Sequence, residues 1–309
     1  MKVKIRVPAT TANLGPGFDV FGAAIKLYND ITFETVDYPV FSVDVSGEGA
    51  GVLPEDKSNI VFPAINGFIK EFAPASFKRT SGFKIRMKNN VPITRGLGSS
   101  ASVRVAAVVA VNKILGDVVP QDDLLKFLTK LEGHPDNVVP ALVGGFCVIA
   151  VSGGKINYIK HKVPADIRAV VCIPEFEIST KKARSILPRS VPFFDAVSNC
   201  SRAGIFVSAL LSRRYEFLSF AMQDKLHQPY RAKLVPGMEN VFAAAMKSGA
   251  LGAALSGSGP AILAVSGRDG RKNNRIGSAM QSAFRKRSIN SRYIVVDFDN
   301  RGVRCEAQE

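Results

Sequence analysis

The chain has 309 residues, 46% hydrophobic and 22% charged, which bounds it to a water-soluble globular protein of one large or two ordinary domains. No apolar run reaches the roughly 18 residues of a membrane helix. Four scattered cysteines without a CxxC pair, and only three histidines, point away from a disulfide scaffold or a structural zinc site.

The opening MKVKIRVPAT alternates charged and apolar residues, so it reads as a strand over Lys2–Pro8 rather than a signal peptide, and the cytoplasm is the expected compartment. ATTANLGPGFD follows, dense in turn residues; Gly15 and Gly17 around Pro16 suggest a rigid path that aims Asn13 and Asp19 outward. Strands are expected at 28–36, 41–45 and 82–89, with an amphipathic helix over 59–72 between the last two. VPITRGLGSSASVRVAAVVAVN then passes from a proline turn through two glycines and two serines into an apolar helix ending near Leu115. Amides at a helix start lack intrahelical acceptors and sit at the positive end of the dipole, so this loop, with Arg95, suits a polyphosphate. A capped glycine turn, or a dinucleotide turn matched by Gly96-x-Gly98-x-x-Ala101, fits the stretch alone almost as well. Arg104, one turn into the helix, is expected to face solvent.

A second helix, 121–132, ends at Glu132, where an acidic group opposes the dipole, a small cost that a cation ligand tolerates. His134-Pro135-Asp136-Asn137 reads as a turn leading through small residues to the strand GGFCVIAV, and Ser152-Gly153-Gly154-Lys155 as a domain boundary, giving domains 1–154 and 155–309. The second half reads strand (169–174), a basic loop into a short helix (STKKARSILP), helices at 194–211, 216–224 and 238–248, a strand–glycine turn–strand unit around Ser256-Gly257-Ser258-Gly259-Pro260, a helix at 276–287 and a final strand at 292–297. Strands and helices do not alternate regularly, so the class is α+β in two units rather than a doubly wound sheet. The net charge of +15 favours anionic partners. Local basic clusters (RDGRKNNR, FRKRSINSR) carry no interleaved aromatics and read as a solvated helix face, so no nucleic-acid partner is expected.

Three pieces in order, TTANLGPGFD, PITRGLGSSAS and LSGSGPAIL, resemble the signature motifs of the GHMP small-molecule kinases, over nearly the whole chain. Within that superfamily ANLGPGFDVFG, EGHPDNVVPALVGG, STKKARSILP and QPYRAKLVPG are most similar to the homoserine kinases. The resemblance implies a ribosomal-S5-like N-terminal domain and a ferredoxin-like C-terminal domain, with ATP and substrate between them. It implies transfer of phosphate from ATP to L-homoserine on the threonine pathway, with mevalonate or shikimate as the alternative acceptors of a related kinase. By the same resemblance Pro92, Ile93, Thr94, Arg95, Gly96, Leu97, Gly98, Ser99, Ser100, Ala101 and Ser102 form the nucleotide loop, and Ser99 and Glu132 coordinate Mg²⁺. Asn13, Asp19, His134, Asp136, Arg184 and Arg231 contact homoserine, and Thr180 sits near the transferred phosphate, with Arg231 as its catalytic companion. Thr11 stands where the first motif usually has serine and keeps the hydroxyl. Asn137 occupies the neighbourhood of the aspartate base of other relatives, so no dedicated protein base is expected. No membrane partner is expected, and the sequence leaves a homodimer open.

Overall fold

The computed structural model describes residues 1–73 and 82–308. The chain opens with β1 (Lys2–Asn13), β2 (Gly17–Val36) and β3 (Phe41–Gly47), then α1 (Val61–Phe72), β4 (Gly82–Asn89), α2 (Ser99–Ile114), α3 (Gln121–Glu132) and α4 (Pro135–Val143). A hairpin of β5 (Phe146–Ser152) and β6 (Lys155–His161) follows. The second half runs β7 (Ile167–Pro174), α5 (Thr180–Ser185), α6 (Phe193–Ser212), α7 (Leu218–Ala221), α8 (Gln228–Arg231), α9 (Met238–Lys247), β8 (Gly252–Leu255), β9 (Ile262–Gly267), α10 (Gly270–Arg285), β10 (Ser291–Val296) and β11 (Arg304–Gln308).

Two sheets result, as the α+β reading requires. The first follows the path β11-β1-β2-β4-β3, with β5 paired to residues 21–23 of the long β2, before the stretch that β4 covers, and β6 on β5; only β3 and β4 pair in parallel. The second, β10-β7-β9-β8, is antiparallel throughout and has the 4-1-3-2 strand order of a ferredoxin-like βαββαβ unit. The expected boundary at residues 154 and 155 falls in the β5–β6 turn, so both flanking strands lie in the first sheet. The chain changes sheets between His161 and Ile167, and β11 returns to pair with β1.

Helix α2 is central to the first core. Its Val and Ala residues are apolar all round, and ten of its sixteen residues are buried, because β1 lies on one side and α1, α3 and α4 on the others. Helix α10 is the opposite case. Ile276, Met280, Ala283 and Phe284 face the second sheet, while Arg271, Arg275 and Arg285 stay on the solvent side.

Three local expectations change. β1 runs on to Asn13 rather than ending at Pro8, so the first motif is a strand end and a tight turn. Residues 134–137, expected as a turn leading through small residues to a strand, instead open α4: Pro135 sits in the first turn, where its missing N–H costs nothing, and Pro140 is accepted inside at the loss of one backbone bond. Residues 216–224 give only a 3₁₀ turn (Tyr215–Phe217) and the single turn of α7.

Candidate active site

Three glycine loops from distant parts of the chain are stitched to one another by backbone. The Thr10 amide donates to the Leu97 carbonyl at 3.1 Å, Gly257 N–H to Ala12 O at 3.0 Å, and Ala261 N–H to Arg95 O at 3.1 Å. The Ser256 hydroxyl adds contacts to Gly96 O at 2.8 Å and the Thr11 hydroxyl at 2.9 Å, so the hydroxyl kept at Thr11 has a partner. One cleft lies where these loops meet, walled by the 94–100 loop, the turn before α4, α5 and Arg231.

The 94–100 loop folds as its glycines dictate. Gly98, the N-cap of α2, is left-handed (φ 67°), and a methyl group there would stand 1.9 Å from the Thr10 hydroxyl. The first helical bond is Ser102 N–H to Gly98 O, which leaves the amides before it without helical acceptors at the cleft wall. Thr94 to Ser100 line the cleft; Pro92, Ile93, Ala101 and Ser102 do not. Ser102 is buried, donating to Ser99 O at 2.8 Å and accepting from Asn29 at 2.9 Å, so it braces the helix start. Arg95 also differs from expectation. Its guanidinium donates to the carbonyls of Ile93, Pro174 and Glu175 and pairs with Glu177 at 3.1 Å, so it ties the loop to the end of β7 instead of waiting for a phosphate.

Glu132 reaches the cleft at the end of α3. One of its oxygens accepts from the Ser100 hydroxyl at 3.1 Å and pairs with Arg104. Arg104 therefore does not face solvent freely: one turn beyond Ser100 on α2, it shares the same carboxylate. The Ser99 hydroxyl, by contrast, has only a long 3.4 Å contact to Val91 O among the described residues. Among the described residues no group of three or more His, Cys, Asp or Glu stands together as a metal site. A hydroxyl and a carboxylate at one cleft do fit Mg²⁺, a hard ion that keeps most of its ligands from phosphate and water.

The far end of the cleft holds the charges. Asp19, itself left-handed at φ 58°, grips Arg184 bidentately at 2.6 and 2.9 Å, and this hydrogen bond raises Arg184 above its ordinary pKa against the effect of burial. Asn13 is buried and committed at both ends, its oxygen accepting from Asp19 N–H at 3.1 Å and its amide donating to Gly257 O at 2.9 Å. It holds Asp19 in place more than it offers itself to a ligand. His134 meets Asp136 at 2.5 Å; burial opposes the imidazolium, but the bond and charge of Asp136 outweigh it and its pKa is raised. Asn137 donates to the same Asp136 oxygen at 3.1 Å and accepts from Thr10 at 2.7 Å. Arg231 is 2% exposed, donating to Ala183 O at 3.2 Å and Gly257 O at 3.0 Å. Burial, then the charge of Arg184, pushes it down to about 10, so it remains a cation at neutral pH. Thr180 lies exposed at the cleft mouth, at the start of α5.

The chain matches the models for the GHMP kinases N terminal domain over residues 59–145 and the GHMP kinases C terminal domain over residues 206–286. It is 42% identical to the homoserine kinase of Persephonella marina over the full length of both chains. It is 40% identical to that of Carboxydothermus hydrogenoformans, across 97% of this chain and 95% of the relative. The chain belongs to the homoserine kinase family. The crystal structure of homoserine kinase from Cytophaga hutchinsonii superposes with a TM-score of 0.87 at 33% identity, covering 99% of this chain and 97% of that one. It follows that this is a GHMP kinase with ATP as co-substrate, built from the S5-like and ferredoxin-like halves of that fold.

Against this homoserine kinase background, two residues stand out that the sequence did not single out as site groups. The Phe18 ring lines the cleft beneath both arginines, its centroid 5.4 Å from the Arg184 guanidinium and 5.3 Å from that of Arg231. The fully buried His227 touches Arg231 from behind. Phe18 was visible only as part of LGPGFD, and the one local signal for His227 is its spacing, one helical turn before Arg231 in HQPYR.

Proposed function

We propose that the chain transfers the γ-phosphoryl group of ATP to the side-chain hydroxyl of L-homoserine, giving ADP and O-phospho-L-homoserine. The observation that carries this reading is the pairing of both charge signs at one end of the cleft: Asp19 and Asp136 beside Arg184 and Arg231, with the amide loop at the other end. An amino-acid alcohol needs both signs, whereas a carboxylate alcohol such as mevalonate or shikimate has no ammonium for the two aspartates.

In this reading the amides of residues 96–100 take the phosphates, and Thr180 stands at the mouth beside the transferred group. Ser99 and Glu132 are the groups that would hold Mg²⁺, which when bound supplies charge neutralisation for the phosphates. The substrate ammonium goes to the Asp136 oxygen left over from His134 and Asn137, and to Asp19. The substrate carboxylate goes to Arg231 and Arg184. Asn137 already donates to Asp136 and accepts from Thr10, so it serves as a spacer, not a base. As the new O–P bond forms and the bond to ADP breaks, the hydroxyl proton passes to a phosphate oxygen or to water, in a transfer that depends chiefly on alignment and charge. No helix among the described residues is long and apolar enough to cross a membrane. We assign the work to the cytoplasm, where ATP is available.

A coupled ADP-release assay with homoserine, mevalonate, shikimate and a blank tests the substrate. Homoserine is expected to raise ADP release on the order of 100-fold above the blank, as a turnover number of about 10 s⁻¹ allows. Mevalonate or shikimate matching homoserine contradicts the reading.

A further inference from the structure

His227 is a buried titratable group that the chemistry above does not use. It sits in the turn before α8, one helical turn ahead of Arg231, with no exposed surface. Its Nε2 lies 2.8 Å from the Gly15 carbonyl and 3.5 Å from Asp224 Oδ2, both acceptors. Its Nδ1 lies 3.2 Å from Arg231 Nη1. A guanidinium has only donors, so Nδ1 must present a lone pair and the ring proton must sit on Nε2. An imidazolium would turn N–H against N–H. Burial, the largest effect, lowers the His227 pKa, in line with a neutral ring.

The surroundings lock this arrangement. Asp224 accepts the backbone N–H groups of Leu226, His227 and Gln228 at 2.6–2.9 Å, which fixes the turn. Phe18 stacks on the imidazole, with centroids 5.5 Å apart and planes 29° apart, and also underlies the Arg231 guanidinium. Of the guanidinium nitrogens, Nε is held by Ala183 O and Nη1 by Gly257 O and His227, whereas Nη2 has no partner among the described residues.

We infer that His227 is the positioning residue for Arg231. As a neutral Nε2–H tautomer it ties the guanidinium to the Gly15 turn, so that the remaining edge is presented to the anionic end of the substrate. The inference rests on the homoserine reading only for the identity of that anion. It joins the first motif to the arginine through one ring.

Two substitutions separate this role from simple filling of space. His227→Asn places a carbonyl oxygen where Nδ1 was and keeps the acceptor for Arg231, but loses the donor to Gly15. His227→Gln does the reverse. With homoserine and saturating ATP, H227Q is expected to raise KM for homoserine about 10- to 100-fold, the scale of one hydrogen bond to a charged group. KM for ATP should stay within about two-fold, and H227N should recover most of the loss. H227N losing as much as H227Q, or H227Q matching wild type, overturns the inference. A wild-type measurement removes any dependence on how the variants fold: ¹⁵N NMR of the histidine rings at pH 7.5. The expected result is a neutral Nε2–H tautomer for the buried ring, and an Nδ1–H tautomer or an imidazolium overturns it. If wild type fails to turn over homoserine, the substrate assignment falls while the NMR result still decides the contact.

Discussion

Replacing Arg231 with leucine is expected to lower kcat/KM for homoserine by about 10²- to 10³-fold while leaving KM for ATP within about two-fold. Removing one member of a buried charge pair costs about 2–5 kcal/mol at the site of contact, and each 1.4 kcal/mol is tenfold. Among the described residues Arg231 hydrogen-bonds Ala183, Gly257 and His227 at the far end of the cleft, and none of these bonds goes to the 94–100 loop. Part of the loss appears as stability, because the Ala183 and Gly257 carbonyls each lose a donor, Gly257 keeping the one from Asn13. Melting temperature is therefore read alongside the kinetics. Arg231→Lys, with charge but no planar fork, should fall between the two. An equal loss of ATP affinity in R231L would show that the arginine serves the nucleotide instead.

The second large effect is at Gly96. This residue is left-handed (φ 76°), and a methyl group on it would stand 2.2 Å from the Ser256 carbonyl oxygen and 2.8 Å from the Gly259 amide nitrogen. Both obstacles are backbone, so the first motif's partner loops must part. Gly96→Ala is expected to cost about 3–5 kcal/mol, a drop on the order of 10 °C in melting temperature for a chain of this size. It should also raise KM for ATP by about 100-fold or more through misplaced amides, a loss of the size seen when oxyanion-type donors are removed. Gly153→Ala is the control. Gly153 is left-handed as well (φ 56°), but nothing lies within 4 Å of the added methyl, so the cost should be only about 1–2 kcal/mol with kinetics unchanged. Equal effects at the two positions would show that backbone strain alone, not the junction of the loops, sets the outcome.

These two cases mark what a linear sequence can and cannot reveal. Glycine spacing and the serines at a helix start were legible because they are local: φ > 0 and unpaired amides follow from a few neighbouring residues. The second sheet was legible for the same reason, since β7, the β8–β9 hairpin and β10 are apolar runs separated by helical segments. Contacts across hundreds of positions were not. Arg95 looks like a phosphate ligand until the end of β7 places two carbonyls, of Pro174 and Glu175, and Glu177 around it. Arg104 looks like a surface residue until α3 brings Glu132 beside it. Asp19 and Arg184 are both expected from the resemblance to contact the substrate, and in the structure they hold each other across 165 positions. Strands β6 and β11 were missed because their residues are mostly polar or partly exposed; sheet pairing at an edge, not a periodic apolar face, makes them strands. Helix α4 was missed because two prolines obscure its pattern, while its burial comes from contacts with β1 and β2.

The Asp19–Arg184 pair also shapes what binding must do. A substrate bearing both charges can enter by exchanging one internal ion pair for two external ones, which limits the desolvation cost. A substrate with one charge leaves one partner of the pair uncompensated. The most direct test is steady-state kinetics with homoserine and with analogues lacking one charge at a time, 3-aminopropan-1-ol without the carboxylate and 4-hydroxybutyrate without the ammonium. All three carry the reacting hydroxyl. Reading of both charges predicts that each analogue loses about 100-fold or more in kcat/KM, as expected when a buried charge is left unpaired. Turnover of either analogue at the efficiency of homoserine would contradict it.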